Sequence, residues 1–306
     1  MRVVIALGGN ALLERGGKPD ADIQEEHVIS AVNALAPLAR SHQLVITHGN
    51  GPQVGVLALE SARDPALSQP YPFDVLGAQT QGMIGYWLVQ ALNGALQGKQ
   101  ACCLLCRTVV SARDPAFASP TKFVGPVYDE ARARQLAAAR GWAIGQDGRA
   151  WRRVVPSPEP LQVVESEMIV RLTGPDTIVV CAGGGGIPVL RDNAGTLRGV
   201  EAVVDKDLTA SLLARVLAAD ALVILTDVDA VQDGYGTPQA RPIRQTTPRE
   251  LRARSFPAGS MGPKIEAACR FVEAAGGMAA IGRLDQAEAL LDGKAGTIVT
   301  SDSWRG

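Results

Sequence analysis

Arg2-Val3-Val4-Ile5-Ala6-Leu7-Gly8-Gly9-Asn10 sets a short aliphatic run directly against two glycines and an asparagine. A run of this length, rich in β-branched residues, reads as a buried strand. Glycine immediately after it lets the backbone approach a ligand and present N–H groups. The arrangement recurs, with Leu44 to Thr47 leading to Gly49-Asn50-Gly51 and Ile178 to Cys181 leading to Gly183-Gly184-Gly185-Gly186. Cys102 to Val110, Ala221 to Thr226, Met278 to Ile281 and Thr297 to Thr300 are further apolar runs. His27 to Ala39, Leu76 to Leu96, Leu208 to Leu217 and Lys264 to Ala275 lie between runs and repeat apolar residues every three and four positions. Strand alternating with helix is β-α-β, so the expected fold is α/β with a mainly parallel sheet and right-handed crossovers. Ligands then bind beyond the carboxyl ends of the strands, where the glycine turns fall.

Val203-Val204-Asp205-Lys206-Asp207-Leu208-Thr209-Ala210-Ser211-Leu212-Leu213-Ala214 puts Lys-Asp where an apolar, β-like run gives way to a helical pattern. By itself this is also how an ordinary capped helix begins. Beside three glycine turns it suits phosphoryl chemistry: lysine supplies compact positive charge, and its neighbour carboxylate orients it. A second lysine follows Gly259-Ser260-Met261-Gly262-Pro263, so that Lys264 opens an amphipathic helix.

The 306 residues are 46% hydrophobic and 4% aromatic. That suits parallel strands covered on both faces, in one large domain or two lobes. The 30 basic and 31 acidic residues leave a net charge of -1. No global field draws such a chain to nucleic acid or a membrane surface. Cys102, Cys103, Cys106, Cys181 and Cys269 read as small core residues, since no second pair follows Cys103-x-x-Cys106 at zinc spacing. With no apolar run near the ~20 residues that span a bilayer, the expectation is a soluble protein of the reducing cytoplasm. Met1 leads straight into what reads as a first strand rather than a leader.

From about 111 to 160 the pattern breaks into a proline-rich stretch that includes Ser119-Pro120-Thr121-Lys122 and Val155-Pro156-Ser157-Pro158-Glu159-Pro160. Phe117, Phe123, Tyr128, Trp142 and Trp151 within it favour a small ordered excursion, a candidate lid, over a disordered linker. Lys122 reaches a site only if this excursion folds over it. Leu225-Thr226-Asp227-Val228-Asp229 ends a run in a polar turn suited to ribose, adenine or Mg²⁺ or, equally, to capping the next segment, and Tyr235 is either a base-stacking residue or a turn aromatic packed on the surface. A P-loop is absent, and His27, His42 and His48 have no mutual metal spacing.

Taken together, these residues resemble the amino acid kinase superfamily and, within it, the carbamate kinases. The match runs over almost the whole chain, through Gly8-Gly9-Asn10, Thr47-His48-Gly49-Asn50-Gly51-Pro52, Thr80-Gln81-Gly82-Met83-Ile84-Gly85-Tyr86-Trp87, Val155-Pro156-Ser157-Pro158, Val204-Asp205-Lys206-Asp207 and Pro263-Lys264-Ile265-Glu266-Ala267-Ala268. The resemblance implies a three-layer α/β/α sandwich around a mainly parallel sheet of about eight strands, carrying a small protruding subdomain at 111–160. It implies a single kinase domain over 1–306, with residues to about 175 serving carbamate and carbamoyl phosphate and those from about 176 serving the nucleotide, in a homodimer. The implied reaction is reversible phosphoryl transfer between MgATP and carbamate, giving ADP and carbamoyl phosphate, used for ATP formation in arginine or related nitrogen catabolism.

Carried over by motif, Gly8, Gly9, Asn10, Gly49, Asn50 and Gly51 bind carbamate and the transferring group. Lys206 stabilises transition-state charge, Asp207 positions it, and Lys122 reaches in from the excursion. Gly184, Thr226, Asp227, Tyr235, Met261 and Lys264 serve ATP or ADP, and Mg²⁺ rides mainly on the nucleotide phosphates with no dedicated protein ligands. The chain departs from the family at Thr226-Asp227-Val228-Asp229, where Thr-Gly-Val-Asp is frequent, and at Arg153, where lysine is frequent. The rival expectations are a kinase for another small carboxylate or phosphonate acceptor and a catalytically silent nucleotide-binding protein.

Overall fold

The computed structural model describes residues 1–13, 17–256 and 261–302, with the Asn10 side chain outside the description. Its centre is an eight-stranded sheet in the order Gln245–Thr246, Thr297–Val299, Met278–Arg283, Ala221–Thr226, Arg2–Leu7, Gln43–His48, Thr177–Cys181 and Gln100–Leu104. Every neighbouring pair is parallel except Met278–Arg283 with Thr297–Val299. Successive side chains of a strand point to opposite faces. Val3, Ile5 and Leu7 therefore join a core layer with Val28, Val32 and Leu35 of helix Ala21–Ser41 and Ile84 and Leu88 of helix Phe73–Ala95. Val4 and Ala6 enter the opposite layer, with Ala210 and Leu213 of helix Lys206–Val216 and Ile265 and Phe271 of helix Met261–Ala275. Burial on both faces explains why these strands read as unbroken apolar runs. The three-layer α/β/α architecture is the expected one.

Two apolar runs behave differently from the sequence expectation. Cys102 to Val110 is not one strand: it divides into Gln100–Leu104 in the main sheet and Arg107–Val110 in a second sheet. The break is held by Gln81, whose amide donates to the Cys106 carbonyl (3.0 Å) and accepts from the Cys106 N–H (2.9 Å). Val203-Val204 is not a strand either. It is an irregular segment whose Val203 N–H donates to Pro156 O (2.9 Å), and Val204 O closes against Gly185. With no sheet neighbour there, the run serves as a buried lead into the helix that starts at Lys206.

Lys122–Tyr128, Ala150–Val155 and Ala143–Asp147 form a separate antiparallel sheet, with helix Glu130–Arg140 between its first two strands in sequence. Val124 and Val155 of this sheet pack on Val54 of helix Gly51–Ser61 and on Phe73 and Leu76. Gly55 meets the backbone of Gly125 so closely that a Cβ would sit 2.6 Å from the Gly125 Cα. Arg153 lies over the Phe73 ring (4.7 Å to its centre) and pairs with Glu201 (3.1 Å). Among the described residues no helix is long and apolar enough to cross a membrane.

Candidate active site

The strand order sets the carboxyl ends of Ala221–Thr226, Arg2–Leu7, Gln43–His48 and Thr177–Cys181 side by side. The turns that follow are packed backbone to backbone. A Cβ on Gly8 would lie 2.8 Å from Leu225 O, and one on Gly49 would lie 2.8 Å from Gly9 N and 3.5 Å from the Lys206 Cε. Gly183 lies against the His48 ring and Gly184 against the Asn50 amide, both too close for a side chain. Ala182, Gly184, Gly185 and Gly186 all have positive φ (49°, 64°, 87° and 87°). The three glycines take these conformations at little cost, whereas Ala182 holds its left-handed φ against a steric penalty.

Buried hydroxyls and amides pin these turns. Thr108 and Thr209 both donate to Gly185 O (2.7 and 3.0 Å), and Thr47 donates to Ala182 O (3.2 Å). Asn50 donates from Nδ2 to the Thr80 hydroxyl (2.8 Å), which donates in turn to Gly77 O (2.9 Å). His48 Nδ1 lies 3.0 Å from Gly49 O, and as N–H donor it fixes that carbonyl. Burial drives the His48 pKa down to about 4, helped by the Lys206 charge, so the ring is neutral at pH 7.

Beside the turns lies a cluster of charge. Asp205 caps helix Lys206–Val216, its Oδ1 accepting from the N–H groups of Asp207 (2.9 Å) and Leu208 (3.2 Å). Its Oδ2 accepts from Lys122 (2.7 Å), which the small sheet brings in from 83 residues away. Asp207 is 2% exposed and holds two ammonium groups, Lys206 on Oδ1 and Lys264 on Oδ2 (3.0 Å). Burial alone would raise the Asp207 carboxyl, but the two lysines overcome it and hold it well below its usual range. Burial also lowers Lys206 despite Asp207. For Lys264 burial works downward too, yet Asp207 prevails and the net displacement is upward. Lys122, Lys206 and Lys264 thus gather around Asp205 and Asp207, with the Asp227 charge also acting on Lys264. Ammonium groups held in this way beside glycine turns suit a phosphoryl group whose oxygens carry negative charge.

Of the residues singled out from sequence, Gly8, Gly9, Gly49, Asn50, Gly184, Lys206, Asp207 and Lys264 converge here, and Lys122 joins them through Asp205. Gly51 opens helix Gly51–Ser61 in open space, where a Cβ would meet nothing within 4 Å. Thr226 ends its strand and donates to Asp227 (3.2 Å), whose charge also favours ionised Lys264. Met261 sits partly buried at the edge of one core layer. Tyr235 is 66% exposed, in a turn beside the short pair Gln232–Asp233 and Arg241–Pro242, outside the buried cluster. Gly259 and Ser260 lie outside the described residues, as does the side chain of Asn10. Sequence reasoning did not single out Asp205, His48, Thr80, Thr108 or Thr209 for the site. Only Asp205, as a cap adjoining Lys206, left a signal there. A groove of about 790 Å³ lies at the other end of the sheet, lined by Met1, Asp220 and Gly277 among others, away from these groups.

The model of the Amino acid kinase family matches residues 1–281, and the chain belongs to that family. A carbamate kinase of Rhizobium meliloti (strain 1021) is 52% identical over 305 residues, covering 98% of this chain and 94% of that protein. A carbamate kinase of Escherichia coli (strain K12) is 50% identical over 298 residues, covering 97% and 99%. The solved structure of a carbamate kinase from Giardia lamblia bound to AMP-PNP superposes with a TM-score of 0.89 at 41% identity, covering 98% of each chain.

Proposed function

We infer that the chain is a carbamate kinase, transferring a phosphoryl group reversibly between ATP and carbamate to give ADP and carbamoyl phosphate. The observation that carries this reading is the buried Asp207 carboxylate holding Lys206 and Lys264 beside the Gly9–Gly49 contact. Lysines from two separated segments are thereby fixed beside the strand-end glycine turns. The high identity to carbamate kinases over the full chain supports the same reading.

Phosphoryl transfer asks a protein to align the attacking oxygen, the phosphorus and the leaving oxygen, and to neutralise charge on the transferring oxygens. In the proposed arrangement Gly8, Gly9, Asn10, Gly49, Asn50 and Gly51 bind carbamate and the transferring group, with backbone N–H groups as donors. Lys206 and Lys122 hold the transferring oxygens, and Asp207 fixes Lys206 against rotation. Lys264 faces the nucleotide phosphates, with Gly184, Thr226, Asp227, Met261 and Tyr235 on the nucleotide side. Carbamate is already an anion at neutral pH, so no protein base or nucleophile takes part. The nucleotide is used as its Mg²⁺ complex, with the phosphates as principal ligands. Among the described residues no group of three or more His, Cys, Asp or Glu side chains is placed to hold a metal ion.

The reading extends to a single kinase domain in which the sheet spanning 122–155 acts as a lid within a protruding subdomain at 111–160. Residues to about 175 serve carbamate and those from about 176 the nucleotide. It further takes the protein as a cytoplasmic homodimer that makes ATP in arginine or related nitrogen catabolism. The test is acceptor choice: purified protein with MgADP is offered carbamoyl phosphate or acetyl phosphate. ATP from the first alone supports the reading, and ATP from acetyl phosphate at comparable rates transfers it to another carboxylate kinase.

A further inference from the structure

We propose that Asp205 is a positioning residue for this phosphoryl transfer, using one carboxylate oxygen to cap the Lys206 helix and the other to hold the Lys122 ammonium beside that helix's first turn. The inference rests on the carbamate kinase reading and deepens it.

The two oxygens have separable tasks. Oδ1 accepts from Asp207 N and Leu208 N, which is all that an N-cap requires. Oδ2 takes no part in the cap and accepts from Lys122 Nζ at 2.7 Å. A bare cap explains the first set of bonds and leaves the second without a reason. The pair is also not an ordinary surface ion pair: Asp205 is 7% exposed, and the lysine reaches it across 83 residues from a different sheet. Charge-assisted hydrogen bonds to a buried carboxylate are short and directional, so they fix where the ammonium sits.

The placement has a consequence for the reaction. Lys122 begins its strand, and its side chain is a flexible four-carbon stem. Without Oδ2 the ammonium would sample solvent, and its charge would reach the transferring group only part of the time. With Oδ2 it is held next to the helix whose first two residues are Lys206 and Asp207. Asp205 thereby ties the small sheet to the charge cluster at one atom. Incoming phosphoryl oxygens find Lys122 already oriented, which is the pre-organisation that makes an electrostatic donor effective.

Asp205→Asn isolates the second task, because asparagine caps a helix as well as aspartate does. Its amide replaces the charged acceptor facing Lys122. The assay is ATP formation from carbamoyl phosphate and MgADP, for wild type, Asp205→Asn, Lys122→Ala and the double variant. The expected result is a fall in kcat/KM for carbamoyl phosphate of roughly 10- to 100-fold in Asp205→Asn, with KM for MgADP held within about twofold. In the Lys122→Ala background the same substitution should then cost less than about threefold, the coupling that a double-mutant cycle detects. Asp205→Ser, which also caps, serves as the second variant and should behave alike if Asp205→Asn fails to fold. Near-normal kcat/KM in these variants overturns the proposal, as does a loss that persists in full without Lys122 or a rise confined to the MgADP KM. A wild type that forms no ATP from carbamoyl phosphate defeats the carbamate kinase reading itself, whereas an active wild type indifferent to Asp205 defeats only this inference.

Discussion

Replacing Gly49 by alanine should cost turnover as well as stability. A Cβ at this position would sit 2.8 Å from Gly9 N and 2.9 Å from Gly9 Cα. Both are backbone atoms, so no side chain can swing aside. Restoring an ordinary contact of 3.4 Å requires the two turns to separate by about 0.6 Å. Those turns are the proposed cradle, and a misplacement of 1 Å in a reacting group costs on the order of 100-fold. Scaling in proportion, Gly49→Ala should lower kcat by roughly 10- to 20-fold, while the overpacking costs about 1–3 kcal/mol of stability. The matched control is Gly82→Ala, on the exposed side of helix Phe73–Ala95, where a Cβ meets nothing within 4 Å. That change should leave kcat intact and stabilise the helix by up to ~1 kcal/mol. Steady-state ATP formation and urea unfolding would be measured on both proteins. If Gly49→Ala turns over like wild type, the close approach of the two turns is irrelevant to the reaction and the cradle argument fails.

Asp207→Ala leaves Lys206 and Lys264 without their shared carboxylate and should cost about 3–5 kcal/mol of unfolding free energy, visible in urea titration; a loss below ~1 kcal/mol would mean that the lysines reach water or other acceptors. His48 gives a pH signature. Its folded pKa of about 4 lies below the ordinary 6.5, so between those values the unfolded chain binds the extra proton. Stability should therefore rise by about 1.4 kcal/mol per pH unit from pH 4 to 6.5 on account of this ring and level off above. In His48→Gln that portion of the slope should vanish, and parallel wild-type and variant profiles would show that the ring is not buried as a neutral group.

How far the fold was legible depended on periodicity. Val3–Leu7 and Ala221–Leu225 read as strands because burial on both faces removes polar alternation. Order was a different matter. Nothing local to Leu7, His48, Cys181 or Thr226 states that their strands are neighbours, so the meeting of three glycine turns came from topology and the family resemblance, not from pattern. The same limit hid the pairings that matter most in the site. Lys122 with Asp205 and Asn50 with Thr80 join segments distant in sequence, and each residue alone reads as surface or helix. Val203-Val204 misled because a short apolar run is equally at home in a strand and in a buried connector. The Gln81 clamp on Cys106 that splits Cys102 to Val110 is likewise a tertiary contact without a local signal. Arg153, by contrast, was visible as a departure from the family, and its place over Phe73 and against Glu201 explains how arginine is accommodated.

In the proposed reaction Lys206, held by Asp207, stabilises the transferring phosphoryl group. The most direct measurement is kcat for ATP formation from carbamoyl phosphate and MgADP in Lys206→Ala beside wild type, with ADP affinity and thermal unfolding measured on the same samples. The expected result is a fall in kcat of about 10²–10³ with the fold and ADP binding retained, the cost of losing one preorganised donor. Turnover within about threefold of wild type would contradict it.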